Sequence, residues 1–355
     1  MKKALSALCA LLLTACALCS CSSEGGEPVR ELLSADISYE LSAEETAEES
    51  SNVRISDISL PEISKEDLEQ KYPIGYDPQA EPVYLPGESF VYVALGDSIA
   101  SGYALNDPKH KCYGALFAAM CGSGCDYRNY AVKGHETGDL LRVLRGIDIS
   151  DADLVTVSIG GNNVLNAAAE RFLPLYADFG VGIFAEYAKT LVGLGDKDRV
   201  DRFFAALREA LDDDLLRAQV KKGIEKTKTE LPAVLKTLRE KAPHAFIVIQ
   251  TVYNPYKGMT IDIPGIFHKD VSALLDEFVR SLNRVITVTA EEYGCEVLDV
   301  YTEFERSSKD LLNAQTEFAI GKPIDLDPHP NAYGHELIAR MLKIKWNSLV
   351  HANEK

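Results

Sequence analysis

Residues 90–103 read FVYVALGDSIASGY. The first six are a near-continuous apolar run, which suits a strand buried on both faces of a parallel sheet, not a strand with one wetted face. The run breaks at Gly96-Asp97-Ser98, so Ser98 stands just past the strand end, in a tight turn that opens a helix. Four more segments have strand character: 126–132 (DYRNYAV), 153–159 (DLVTVSI), 245–250 (AFIVIQ) and 295–301 (CEVLDVY). Parallel strands need crossover helices. The intervening segments supply them in YGALFAAMC, TGDLLRVLRG, ALLDEFVRSLNRVITVTAEEYG and the C-terminal NAYGHELIARMLKIKW. This alternation predicts an α/β fold, a three-layer α/β/α sandwich on a mainly parallel sheet of about five strands.

Working outward, residues 1–21 begin with two lysines and continue as an apolar run too short to span a bilayer, ending among small residues and cysteines. That is the pattern of an export signal. It resembles a bacterial lipoprotein signal, in which a leucine and two small residues precede the cysteine that receives the lipid. Cys21 is the expected lipidation site, with Cys16 as the rival, and an ordinary signal peptide is the alternative. The resemblance implies a protein tethered to the outer face of the cell membrane.

The net charge of −17 is unevenly placed, because residues 22–85 carry 16 acidic and 4 basic side chains. A run such as SAEETAEESS repels itself and lacks large apolar residues, so 22–85 is expected to be an extended, disordered spacer. Neither the spacer nor the domain at 86–350 offers the basic face that nucleic-acid binding requires. Between 166 and 242 the chain is longer than one crossover needs. The surplus, about 167–214, reads as a helical insertion, either capping the site or packing outside the sheet. Its apolar run at 171–194 could line an acyl pocket or belong to the core.

Four cysteines fall in the domain: Cys112, Cys121, Cys125 and Cys295. Export permits disulfides, and Cys121-Gly-Ser-Gly-Cys125 could close a small loop, but four cysteines allow three pairings. No histidine pair stands beside that loop at metal-ligand spacing.

Ligands in open α/β sheets sit beyond the carboxyl ends of the strands. Polar clusters fall there: Ser98 after strand one, NYAVKGHETG with Gly134 after strand two, and SIGGNN with Asn162 after strand three. A serine hydroxyl is a weak nucleophile without a base. The loop IDLDPHPN offers one, in His329 held beside carboxylates by Pro330. A backbone N–H at Gly134 and the amide of Asn162 would suit the oxygen of a tetrahedral intermediate. Turn glycine, helix-capping asparagine and surface histidine are the bland readings of the same residues.

Taken together, Gly96-Asp97-Ser98, Gly134, Gly160-Gly161-Asn162 and His329 resemble, in order, the sequence blocks of the GDSL/SGNH hydrolases, over about 90–340. The resemblance implies a flavodoxin-like sandwich, an acyl-serine mechanism, and no metal or other cofactor. It assigns Ser98 as nucleophile, His329 as base, and Ser98, Gly134 and Asn162 as the oxyanion hole. Two positions depart from the pattern. Asn163 stands where an aspartate is usual, and Leu326 stands three residues before His329, where the orienting aspartate is expected. Asp327 is the expected replacement and Asp325 its rival; a Ser–His dyad is the third possibility. His135 could line the pocket, and His335 and Glu336 read as helix surface or a local contact. The expected substrate is a lipid or an acetylated glycan. An acyltransferase on the same scaffold and a catalytically silent binding lipoprotein are the alternatives. The sequence marks no oligomer interface.

Overall fold

The computed structural model describes residues 89–180, 183–190, 193–263, 267–314 and 327–353. The expected signal with Cys16 and Cys21, the acidic spacer, and Asp325 lie outside them.

Strand β1 (Phe90–Gly96) is followed by the short helix α1 (Ser98–Ser101), then α2 (Pro108–Lys111) and α3 (Tyr113–Cys121). β2 (Cys125–Asn129), α4 (Thr137–Gly146), β3 (Leu154–Ser158) and α5 (Gly161–Ala169) continue the alternation. Next come α6 (Leu173–Phe179), α7 (Ile183–Thr190), α8 (Lys197–Ala210) and the long α9 (Asp213–Lys241). β4 (Phe246–Gln250) precedes β5 (Thr260–Ile263) and β6 (Phe267–Asp270). The chain then forms α10 (Val271–Glu292), β7 (Glu296–Leu298), α11 (Val300–Arg306) and α12 (Ala332–Asn353).

The main sheet has the order β2-β1-β3-β4-β7, and all four pairings are parallel. The predicted α/β sandwich is therefore the fold. Alternation along β1 divides its side chains between two cores. Val93 and Leu95 join the side covered by α4, α5, α9 and α10, whereas Tyr92 and Ala94 join the side covered by α3 and α12. The strand order reverses between β1 and β3, which in doubly wound sheets opens a crevice at the carboxyl ends. Ser98 and Asn162 both follow strands that border this crevice.

The predicted strand at 295–301 is cut to three residues, because Asp299 accepts the Thr302 N–H at 3.2 Å and turns the chain into α11. The antiparallel pair β5–β6 was not legible, since TIDI and FHKD are four-residue pieces without a sustained pattern. The apolar run at 171–194 contributes core: Phe172, Leu175 and Ile183 are buried with Phe203 and Phe204 of α8, in the cluster that covers the sheet. Phe179 meets Phe203 edge-on at 5.4 Å.

The four cysteines of the domain are buried free thiols, so the loop 121–125 is not closed by a disulfide. The Cys121 thiol instead lies 3.6 Å from Lys343 Nζ of α12.

Candidate active site

The serine turn is built by a close backbone approach. Gly96 has φ +127°, and a Cβ there would stand 1.9 Å from the Ser158 carbonyl oxygen, so only glycine lets β1 end this close to β3. Asp97 donates its N–H to that carbonyl at 2.9 Å. Its carboxylate oxygen Oδ1 accepts from the Ile99 N–H at 3.0 Å and the Ser158 hydroxyl at 3.1 Å, capping α1 and fixing Ser98 at its first position. Burial pushes the Asp97 carboxyl up to about 6, against the opposing pull of these donors and of His329.

Ser98 Oγ lies 2.8 Å from His329 Nε2. On the far side of the ring, Nδ1 is hydrogen-bonded to Asp327 Oδ1, and the same oxygen accepts the His329 backbone N–H at 3.1 Å. Asn313 Nδ2 donates to the other carboxylate oxygen at 2.8 Å. Burial opposes ionisation of Asp327, yet the hydrogen bonds and attraction of His329, with Asn313, hold its carboxyl below the usual range. The loop is clamped from outside: Asn313 N–H donates to the His329 carbonyl and Asn331 N–H to the Leu311 carbonyl, both at 2.9 Å. Tyr253 adds a hydroxyl bond of 2.9 Å to the Pro328 carbonyl. Leu326, which replaces the expected aspartate, and Asp325 are outside the described residues.

Gly134 sits in a tight turn closed by His135 N–H on the Val132 carbonyl at 3.3 Å, with φ +77°. Val132 N–H donates to the Gly96 carbonyl at 3.0 Å, which docks this turn on the end of the serine strand. Asn162 Nδ2 donates to the His135 carbonyl at 3.0 Å, which leaves its second N–H free to point elsewhere. Ser98, Asn162 and His329 share one cavity wall, whereas Gly134 and His135 are not on it.

The sequence missed the supports of this turn. Asn163 accepts the Thr137 N–H at 3.1 Å and donates Nδ2 to Thr137 Oγ1 at 3.0 Å, while that hydroxyl donates to Glu230 of α9. Asn163 must therefore be a donor, and the carboxylate expected in its place stands on Glu230. Glu136 likewise joins Asn166 at 2.7 Å and the Lys226 ammonium. α9 reaches this close because a Cβ on Gly223 would lie 2.1 Å from the Asn163 carbonyl oxygen.

Apart from Asp97 and Tyr253, the rest of the cavity is apolar. α10 contributes Leu275, Phe278, Val279 and Leu282, and α5 contributes Val164 and Leu165. Among the described residues, 167–214 contributes nothing to this wall. His335 and Glu336, read as helix surface or a local contact, are buried and off the cavity wall: Glu336 makes a local pair with Arg340 at 2.6 Å, and His335 accepts the Tyr113 N–H at 3.3 Å.

A serine hydroxyl hydrogen-bonded to an imidazole whose other nitrogen faces a carboxylate can be deprotonated as it attacks a carbonyl. Comparison with known proteins finds similarity to the uncharacterized protein YpmR of Bacillus subtilis (strain 168), 23% identical over 262 residues, covering 71% of this chain and 80% of that one. Among solved structures, the extracellular lipase of Streptomyces rimosus is 22% identical with a TM-score of 0.47, covering 72% of this chain and 99% of that one. Phospholipase A1 of Streptomyces albidoflavus NA297 is likewise 22% identical with a TM-score of 0.47, covering 72% and 98%. The GDSL-like Lipase/Acylhydrolase family model matches residues 94–337, the region that holds the serine turn, the Gly134 turn, Asn162 and the histidine loop, and the chain belongs to that family.

Proposed function

We propose that this chain is an exported serine ester hydrolase that cleaves carboxylic esters through an acyl-serine intermediate. The observation that carries the reading is the continuous hydrogen-bonded line from Ser98 Oγ through His329 to Asp327. In this reading the Ser98 proton passes to His329 Nε2 as Oγ attacks the ester carbonyl. The negative oxygen that forms is received by the backbone N–H of Ser98 and by the free N–H of Asn162 Nδ2, with the Gly134 N–H, off the cavity wall, as the further donor that the family resemblance assigns. His329 then protonates the departing alcohol, and water repeats the sequence to release the acid. Asp327 stays ionised, fixes the ring tautomer and stabilises the imidazolium. Asp325 is not needed for this.

The apolar wall from α5 and α10 supports a hydrocarbon acyl chain of several carbons, with a lipid as the substrate class. Residues 1–21 support export, with Cys21 lipidated to hold the enzyme at the outer face of the cell membrane and 22–85 as its spacer. The test is hydrolysis of p-nitrophenyl esters from acetyl to palmitoyl by the protein and its Ser98→Ala variant. Turnover that vanishes with Ser98, and rises with chain length beyond acetyl, supports the reading. Turnover that survives Ser98→Ala overturns it.

A further inference from the structure

Resting on the hydrolase reading above, we propose that Lys133 and Tyr103 form a subsite for an anionic oxygen group on the alcohol portion of the ester. Both residues are anchored to the serine turn. Tyr103 donates its N–H to the Ser98 carbonyl at 3.0 Å, and the loop carrying Lys133 is held by Val132 N–H on the Gly96 carbonyl at 3.0 Å. The Tyr103 ring meets the His329 ring at 4.9 Å and 68°. Lys133 Nζ stands 5.1 Å from the Tyr103 ring centre, within cation–π range. His329, Tyr103 and Lys133 thus form a row leading from the reacting centre into solvent, and Tyr103 is 41% exposed along it.

The chemistry gives this row a direction. The group that returns a proton to the leaving alcohol is His329, so the alcohol departs on the histidine side. The apolar cavity, whose wall reaches His329 but includes neither Tyr103 nor Lys133, takes the acyl chain. The alcohol portion therefore lies along Tyr103, with the Lys133 ammonium beyond it. Lys133 forms no ion pair with a carboxylate among the described residues, although the chain is strongly acidic. Tyr103 restricts its long side chain without neutralising it. A phosphate or carboxylate one ring's breadth from the scissile oxygen would meet that charge.

The experiment uses three phenyl butyrates that differ only in the para group of the phenol: phosphate, carboxylate or neutral methoxy. Lys133→Met is expected to raise KM about tenfold for the charged esters, the equivalent of about 1.4 kcal/mol, with kcat unchanged and the methoxy ester unaffected. Lys133→Glu should raise it further, and added salt should shrink the wild-type preference, as for any exposed charge. A response limited to the phosphate ester would identify phosphate as the recognised group, and an equal response to both would identify any oxyanion. Equal KM changes for all three esters, or none, would overturn the subsite while leaving the hydrolase reading intact. Absence of Ser98-dependent turnover of all three would overturn both.

Discussion

Ser98 Oγ and His329 Nε2 lie 2.8 Å apart although they are 231 positions apart in the chain. Each is held by its own local device: Ser98 by the Asp97 cap and the Gly96 approach, His329 by Asp327 and the 310–314 clamp. Replacing either by alanine should reduce ester turnover to the background without changing the melting temperature by more than a few degrees. Asn162→Ala should lower kcat by about a hundredfold to a thousandfold, the usual loss for one oxyanion donor. Steady-state kinetics on a p-nitrophenyl ester measures all three.

Asp327→Asn should cost about ten-thousandfold in kcat, because an amide in that place favours the wrong imidazole tautomer. Asp325→Asn should leave kcat near wild type. Comparable activity in both variants would point to a Ser98–His329 dyad.

Glu230 and Asn163 meet through one hydroxyl, that of Thr137. Asn163→Asp would place a second carboxylate on that hydroxyl and set like charges against each other. The expected outcome is a lower melting temperature together with roughly tenfold lower kcat, about 1.4 kcal/mol in the barrier, as the Gly134 turn loosens. Adding Glu230→Gln to Asn163→Asp should restore part of both, a rescue that simple local damage would not show.

Two buried groups oppose each other in acid. Asp97 is raised from 3.8 to about 6, so the folded state holds a proton that the unfolded chain has lost, and stability falls as pH rises through that window. His335, lowered from 6.5 to about 3 by burial and by His329, does the reverse: stability is lost as pH falls below about 6.5. Asp97→Asn keeps an oxygen for the Ile99 and Ser158 donors. Its stability relative to wild type should therefore grow between about pH 4 and pH 6 and level off above, read as melting temperature across that range.

Val279 is 6% exposed on the cavity wall. Val279→Trp should shorten the acyl space, lowering kcat/KM for octanoyl and longer esters at least tenfold while sparing acetyl. Two excluded methylenes alone are worth about 1.6 kcal/mol.

What the sequence determined by itself is what depends on short range. Continuous apolar runs such as FVYVAL can be satisfied only between two layers, so the parallel sandwich was legible, as were the polar breaks at the ends of its strands. Ser98, Gly134 and Asn162 could be named because each stands at such a break, and His329 because its loop sets it beside carboxylates. Asp327 was named as the partner of His329, with Asp325 as its rival. Residues that act across long separations were not legible: the turn at Pro328 that sets Asp327 against His329 is clamped by Asn313 and Tyr253, and no spacing rule contains that clamp. The carboxylate missing at position 163 reappears on Glu230 because Gly223 lets α9 approach the α5 backbone. The apolar cavity is walled by α5 and α10, whereas Phe172, Leu175 and Ile183 of the more conspicuous apolar run at 171–194 pack as core. Local pattern sets which faces must be buried, and only tertiary packing decides which partners bury them.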